Sequence, residues 1–305
     1  MKVVKHIKIN KNMKVSELVK EMNNSGVMQA GKLAKAVDII KKMIKDKQCK
    51  VFMGVAGAMI PGGMKQIIID FLQNKYVDVF VTTGANLTHD LGEALGYHHY
   101  QGNEKMNDSI LRKLGYNRMY DSLMPNKIYI GLEKFINENF NQLSKARNIK
   151  EFLWILGKLA PKNTIVSTCY KNKIPIFCPA ISDSGLGLMI WNNLIKGKKI
   201  NVNAFDDLKE IIELAWTAKK SGVFYIGGGT PKNYIQQAMQ LAPREAVYAV
   251  QITTDTAEYG GSSGAPLKEG ISWNKLNPKA NYIDVKCDAT IALPIILAAL
   301  KDKFK

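Results

Sequence analysis

Residues 258–275 read Glu-Tyr-Gly-Gly-Ser-Ser-Gly-Ala-Pro-Leu-Lys-Glu-Gly-Ile-Ser-Trp-Asn-Lys, a Gly/Ser loop running into a short stretch that holds Glu269, Trp273 and Lys275. A lysine beside a tryptophan and near a carboxylate is a candidate nucleophile. Desolvation lowers its pKa and frees a neutral amine to attack a carbonyl or imine carbon. The indole face can also hold an alkylammonium group by cation–π attraction. On spacing alone, the chance placement of one lysine among 39 near a tryptophan explains the pattern better.

Two further segments could bind a ligand. Thr82-Thr-Gly-Ala-Asn-Leu-Thr-His-Asp90 is dense in hydroxyls and amides that suit ribose hydroxyls or an amide. Helix capping by Asn86 or Thr88 explains one or two of these residues but not all. In Gly227-Gly-Gly-Thr-Pro-Lys232, Thr230 is predicted to cap a helix whose first position is Pro231. The glycines before it would let a ligand approach bare backbone, and a helix N-terminus favours an anion. A tight strand-to-helix turn is an equal reading of the same residues. His98 and His99 are adjacent, so on a helix they would point about 100° apart and could not chelate one metal together. No metal-ligand spacing is present, and no metal is expected. Neither G-x-G-x-x-G nor G-x-x-x-x-G-K-[ST] occurs.

The elements that must position these segments recur as an apolar strand, a small-residue loop and a helical pattern. Strands are predicted at Lys50–Val55, Val77–Val81, Ile174–Phe177, Val223–Ile226, Ala246–Ile252 and Tyr282–Lys286. Helices are predicted at Val15–Asn23, Leu33–Lys47, Met64–Gln73, Leu87–Leu95, Ile128–Asn139, Ile149–Leu159, Phe205–Lys220, Asn233–Leu241 and Ala289–Lys301. Strands alternating with helices imply crossovers, a parallel six-stranded sheet and helices on both of its faces. In such a sheet, ligands bind outside the carboxyl ends of the strands, where the polar, glycine-rich segments collect here. The expectation is one α/β domain over residues 1–305, with residues 1–50 as an N-terminal helical extension.

Composition narrows the function classes. The 305 residues carry a formal net charge of +17 and are 46% apolar, which excludes disorder as a global description. Arginine occurs only at Arg112, Arg118, Arg147 and Arg244. Nucleic-acid binders usually exploit arginine's fork, so the lysine excess, over half of it within Met1–Lys50, reads as a solvated helix face. The longest apolar stretch, near Ala289–Leu300, contains Pro294 and falls short of the ~20 residues of a membrane span. The N-terminus does not read as a secretory signal. The scattered Cys49, Cys169, Cys178 and Cys287 suit a reducing cytoplasm.

Together, Val81-Thr-Thr-Gly-Ala-Asn-Leu-Thr-His-Asp90, Cys178-Pro-Ala-Ile-Ser-Asp183, Ile226-Gly-Gly-Gly229, Ile271-Ser-Trp-Asn-Lys275 and Val285-Lys-Cys-Asp-Ala289 resemble the deoxyhypusine synthase family, from about Val15 to Leu300. The resemblance implies a Rossmann-like NAD domain in a homotetramer with sites at subunit interfaces. It also implies transfer of spermidine's butylamine part to an acceptor amine, with NAD as a catalytic cofactor. Lys275 matches the family's covalent lysine. Trp273 and Glu269 match its amine pocket, and Asn233 and Gln237 are assigned there with them. Thr83, Gly84, His89, Asp183, Gly228, Gly229, Thr254, Ser263 and Asp288 are assigned to NAD.

The chain departs from the eukaryotic members at four positions. Asn233 stands where they carry a histidine, and Leu188, Ser262 and His89 stand where they carry carboxylates. The implied acceptor is the lysine of a hypusine-bearing translation factor, or alternatively putrescine, which would give homospermidine. A non-catalytic NAD-binding protein is the rival from another class. A role with nucleic acid comes last, and none with a membrane is expected.

Overall fold

A computed structural model describes residues 1–302. Helices α1 (Val15–Ser25) and α2 (Met28–Lys45) precede β1 (Cys49–Val55). Then come α3 (Lys65–Gln73), β2 (Val79–Thr82), α4 (Gly84–Ala94), β3 (Tyr100–Gln101), α5 (Asp108–Leu114), β4 (Tyr116–Met119), β5 (Ser122–Pro125), α6 (Lys127–Leu143), α7 (Ile149–Leu159), α8 (Ile165–Asn172), β6 (Ile176–Phe177) and α9 (Gly185–Leu194). The chain closes with α10 (Ala204–Trp216), β7 (Lys220–Ile226), α11 (Gly229–Leu241), β8 (Ala246–Thr253), β9 (Leu276–Lys286) and α12 (Ala289–Lys301).

The six strands expected from the sequence all lie in one parallel sheet, in the order β6-β2-β1-β7-β8-β9. Numbered by appearance in the chain, this is the 3-2-1-4-5-6 order of doubly wound dinucleotide folds. The order reverses between β1 and β7, which makes the carboxyl ends of those strands the switch point where such sheets bind ligands.

Contacts gather the described residues into two compact units, a partition that the sequence reading of one domain over residues 1–305 did not draw. The first unit comprises Met1–Val55, Tyr76–Val81 and Leu208–Lys305. Its helices cover both faces of the sheet, and two glycines show how. A Cβ on Gly222 would lie 2.5 Å from Met43 Cγ of α2, whereas one on Gly54 would lie 3.1 Å from Ile235 Cδ1 of α11. Gly222 pairs with Val51, three residues from Gly54, and an odd spacing along a strand places side chains on opposite faces. Helices α2 and α11 therefore pack on opposite faces. Apolar stripes supply the packing, with Val37, Ile40 and Met43 buried in α2 and Ile235 and Met239 in α11.

The second unit comprises Ala56–Lys75 and Thr82–Asp207. It holds a second, antiparallel sheet in the order β3-β5-β4, which the sequence reading missed. Tyr100, Gln101 and Asn117 are exposed, so its strands lack the alternating apolar pattern that a half-buried strand shows. Helices α5, α8 and α9 were missed as well. They are short, and α9 opens with Gly185-Leu-Gly187, which reads as loop.

Several expected boundaries are corrected: β9 begins at Leu276 and not Tyr282, α2 begins at Met28 and not Leu33, and α6 ends at Leu143 and not Asn139. The helix predicted over Phe205–Lys220 ends at Trp216, and Lys220 opens β7. Lys220 and Ser221 pair with Cys49 and Lys50 of β1, so a tertiary ladder claims residues whose local pattern is helical. The helix predicted from Leu87 begins at Gly84, because Thr83 caps it. By contrast α7 and α12 keep their expected bounds. Their caps, Asn148 and Asp288, accept from Glu151 N and Thr290 N.

Gly222→Ala should destabilise the protein by about 1–3 kcal/mol, the usual cost of forcing a methyl group into a packed interior. Denaturant titration measures this, and an unchanged midpoint would show that Met43 moves aside freely.

Candidate active site

Within the first unit, a cavity of about 400 Å³ is lined by Asn233, Gln237, Glu269, Trp273 and Lys275, together with Gln236, Gln240 and the loop from Gly260 to Pro266. The structure thus brings together all five residues expected around the amine. The turn that carries Lys275 is built locally. A 3₁₀ turn over Leu267–Ile271 leads to Asn274 in the left-handed region at φ 56°. The amides of Trp273 and Lys275 both donate to Gly270 O, at 3.3 and 2.8 Å. Lys275 O then accepts from Ala246 N, which anchors the turn to the start of β8.

Lys275 Nζ lies 4.9 Å from the centre of the Trp273 ring. Desolvation draws the Lys275 amine below the ordinary lysine value, while the Glu269 carboxylate pulls it back up. Desolvation wins, which is the direction that a nucleophilic amine requires. Trp273 is 53% exposed, so much of its ring remains open to a ligand.

The floor of this unit holds two functional candidates that sequence reasoning missed. Lys232 is 1% exposed, and its Nζ donates to Gln251 Oε1 (2.8 Å), Ser262 O (2.6 Å) and Ala265 O (2.7 Å). Gln251 is fully buried and its Nε2 donates to Ser263 O at 2.7 Å. A sequence signal existed for both. Lys232 falls in the same helical register as the buried Ile235 and Met239, and Gln251 is the amide in an otherwise apolar strand. Burial brings the Lys232 ammonium down to about 8, against the pull of the Asp284 and Glu269 charges.

Among the residues expected to hold a cofactor, Gly228 and Ser263 meet. A Cβ on Gly228 would collide with the Ser263 backbone, so only glycine permits this approach. The expected cap by Thr230 is corrected. Helix α11 begins two residues earlier, at Gly229, and its N-cap Gly228 offers no side-chain bond. Thr254 is exposed just beyond β8, and Asp288 is spent on capping α12.

In the second unit, Thr83 caps α4 by accepting from Asn86 N. Gly84 abuts Ser184, whose hydroxyl caps α9 beside the exposed Asp183. The expected caps Asn86 and Thr88 are instead buried. Asn86 Nδ2 donates to Thr82 Oγ1, and Thr88 Oγ1 donates to Gly84 O and accepts from Leu186 N. His89 enters a chain of ionisable groups: its Nδ1 lies 3.0 Å from His99 Nε2, and His99 Nδ1 lies 2.7 Å from Glu93 Oε1. Lys65 Nζ lies 3.8 Å from Glu93 and 3.0 Å from the buried Asp90. Burial, reinforced by His99, lowers His89 to about 4.

Comparison with known proteins identifies the family. A model of the deoxyhypusine synthase family matches residues 17–300. A Methanosarcina thermophila protein named "Probable deoxyhypusine synthase" is 42% identical over 303 residues, covering 98% of this chain and 95% of its own. An Archaeoglobus fulgidus protein named "Probable deoxyhypusine synthase 2" is 39% identical over 281 residues, covering 89% and 93%. A crystal structure from Entamoeba histolytica, described as "a putative deoxyhypusine synthase", superposes with a TM-score of 0.66 at 21% identity, covering 96% of this chain and 95% of that one, and so shares the fold. The chain belongs to the deoxyhypusine synthase family, a family of alkyl-group transferases. Among the described residues no helix is long and apolar enough to cross a membrane.

The folded-state pKa of His89 lies below its free value, so the unfolded chain takes up that proton first as pH falls. Stability held by neutral His89 is present above pH 6.5 and is lost as pH falls towards about 4. Between pH 7 and 4 the wild type should lose up to roughly 3 kcal/mol more than His89→Asn, at about 1.4 kcal/mol per pKa unit. Paired denaturant titrations read this difference, and parallel losses in the two proteins would refute it.

Proposed function

We propose that the protein is an NAD-dependent aminobutyl transferase, which passes the butylamine part of spermidine through a covalent imine on Lys275 to an acceptor amine. The observation that carries this reading is the cavity itself, where a desolvated lysine, an open indole face and one carboxylate meet. The family membership supports it. By the same family resemblance, the proposed assembly is a homotetramer.

The residues after β7 fit a dinucleotide. Helix α11 starts with no side chain on its first amides, and the Gly228 backbone is bare where it passes Ser263. Unused helix N-terminal amides favour a phosphate. Gly228, Gly229, Ser263, Thr254 and Asp288 are proposed to hold NAD; Thr83, Gly84, His89 and Asp183 are assigned to NAD by the family resemblance alone. Bound there, NAD supplies an acceptor for the hydride beside the donor's secondary amine and returns that hydride to the product.

The chain's own residues do the rest. Glu269 offers its carboxylate to an ammonium end, and Trp273 offers its ring face to the alkylammonium. Lys275, as the neutral amine, adds to the imine carbon of the oxidised donor. A bond from that carbon to the lysine nitrogen forms, its bond to the diaminopropane nitrogen breaks, and diaminopropane leaves with the proton. The acceptor amine displaces Lys275 by the same exchange.

The acceptor is a protein lysine of the hypusine-bearing translation factor, or alternatively putrescine. The lining favours the second reading to the extent that it holds four neutral amides and one carboxylate, a modest complement for a small diamine.

Borohydride added to enzyme, NAD and spermidine should trap an adduct on Lys275, and Lys275→Ala should trap none. Full turnover by Lys275→Ala would end the proposal. Trapping should rise with pH around a midpoint below that of ordinary lysine. Glu269→Gln should shift that midpoint further down, because the carboxylate favours the ammonium, and should also raise the KM for the amine. A shift upward would contradict the assigned role of Glu269. With labelled spermidine, homospermidine formed on adding putrescine without labelling of the translation factor would assign the small-molecule acceptor. Labelled factor would assign the protein. NAD binding without turnover on any polyamine would leave the non-catalytic reading.

A further inference from the structure

We propose that Lys232 is a positioning residue that clamps the Gly260–Pro266 loop against α11 and β8, so that amine binding depends on a buried ammonium that touches no substrate. This rests on the reading of the cavity as the amine site.

Three observations combine. First, the ammonium of Lys232 has three hydrogens, and the structure shows three acceptors within 2.8 Å, two of them carbonyls of this loop. No donor is left over for a ligand. Second, Gln251 works as its partner. The same amide accepts from Lys232 and donates to Ser263 O, so two buried side chains from different elements hold the carbonyls of Ser262, Ser263 and Ala265. Third, the loop so held lines the cavity, through Gly260, Gly261, Ser262, Ala265 and Pro266, together with the turn that bears Lys275. The loop is rich in glycine and serine and has little side-chain packing of its own, so its shape rests on these bonds.

A buried ammonium held by neutral oxygens is a costly way to fill space. The depressed pKa shows that burial disfavours its charge. An apolar side chain of similar length would fill the same volume without that cost, but it could not fix three oxygens in one geometry. The function that only the ammonium performs is to hold the loop.

Lys232→Met separates this role from plain stability. The variant should keep a melting temperature near that of the wild type, while amides of residues 257–266 exchange about tenfold faster or more, the effect of losing one hydrogen bond to a charged group. Affinity for spermidine or putrescine, read by calorimetry and as KM, should fall by a similar factor, with kcat at saturating amine changing less. Gln251→Leu should reproduce both effects, and the double variant should add little to either single change. Unchanged loop exchange and unchanged KM in Lys232→Met would overturn the proposal. So would faster exchange spread evenly over the whole chain. If Lys232→Met does not fold, Gln251→Leu is read by the same two criteria. Loop exchange needs no turnover, so a wild type that binds no amine would refute the proposed function while the clamp is still decided by exchange alone.

Discussion

Parallel strands cannot be joined by tight hairpins, and most of this molecule follows from that constraint. Each strand of the main sheet must be followed by a crossover before the next can lie beside it. The crossovers run through helices except between β8 and β9, where only 3₁₀ turns at Ala257–Tyr259 and Leu267–Ile271 occur, and helices on both faces leave the sheet interior dry. Gln251 is therefore a conspicuous buried amide in β8. The same constraint sends every strand-to-helix loop to the carboxyl edge. The glycines after β7 and the loop after β8 gather there for a topological reason before any chemical one. Where the loop after β8 crosses α11, the backbones of Gly228 and Ser263 approach too closely for any side chain.

The electrostatics are layered. The whole chain is strongly basic, whereas the proposed substrates are cationic amines, which a uniformly basic surface would repel. The cavity offers no net attraction on the scale of +17. It offers one carboxylate, amides and an indole face at short range. Short-range terms can prevail because exposed charges farther apart than about 10 Å are largely screened at ordinary salt. Two lysines in this unit show how placement alone changes a side chain's role. Lys275 is partly desolvated beside an aromatic ring, and its amine is drawn towards the neutral form. Lys232 is buried with every hydrogen donated.

Six strands and the helices with strong periodicity were legible because apolar patterning and caps are local signals. Ile149–Leu159 and Ala289–Lys301 needed nothing beyond their own residues and a capping Asn or Asp. The misses have separate causes. The start of β7 at Lys220 is set by a partner distant in sequence, the hairpin of β4 and β5 lacks an alternating apolar pattern, and the short α9 opens on glycines that read as loop. The polar segment Thr82–Asp90 read as a ligand-binding loop. Most of it is helix, and its hydroxyls and amides are largely spent on capping and packing.

The sequence by itself determined the fold class and the family, because these are written in residue types and local patterns; spacing alone left Glu269, Trp273 and Lys275 to chance, and the family resemblance tied them to one pocket. The resemblance also carried Asn233 and Gln237 to the same place. Tertiary structure alone decided the environment of each group. It pairs His89 with His99, buries Lys232 under the Gly/Ser loop, and lowers the Lys275 amine by desolvation. A pKa and a hydrogen-bond partner depend on what surrounds an atom in space, and neighbours tens of residues away in the chain leave no local trace.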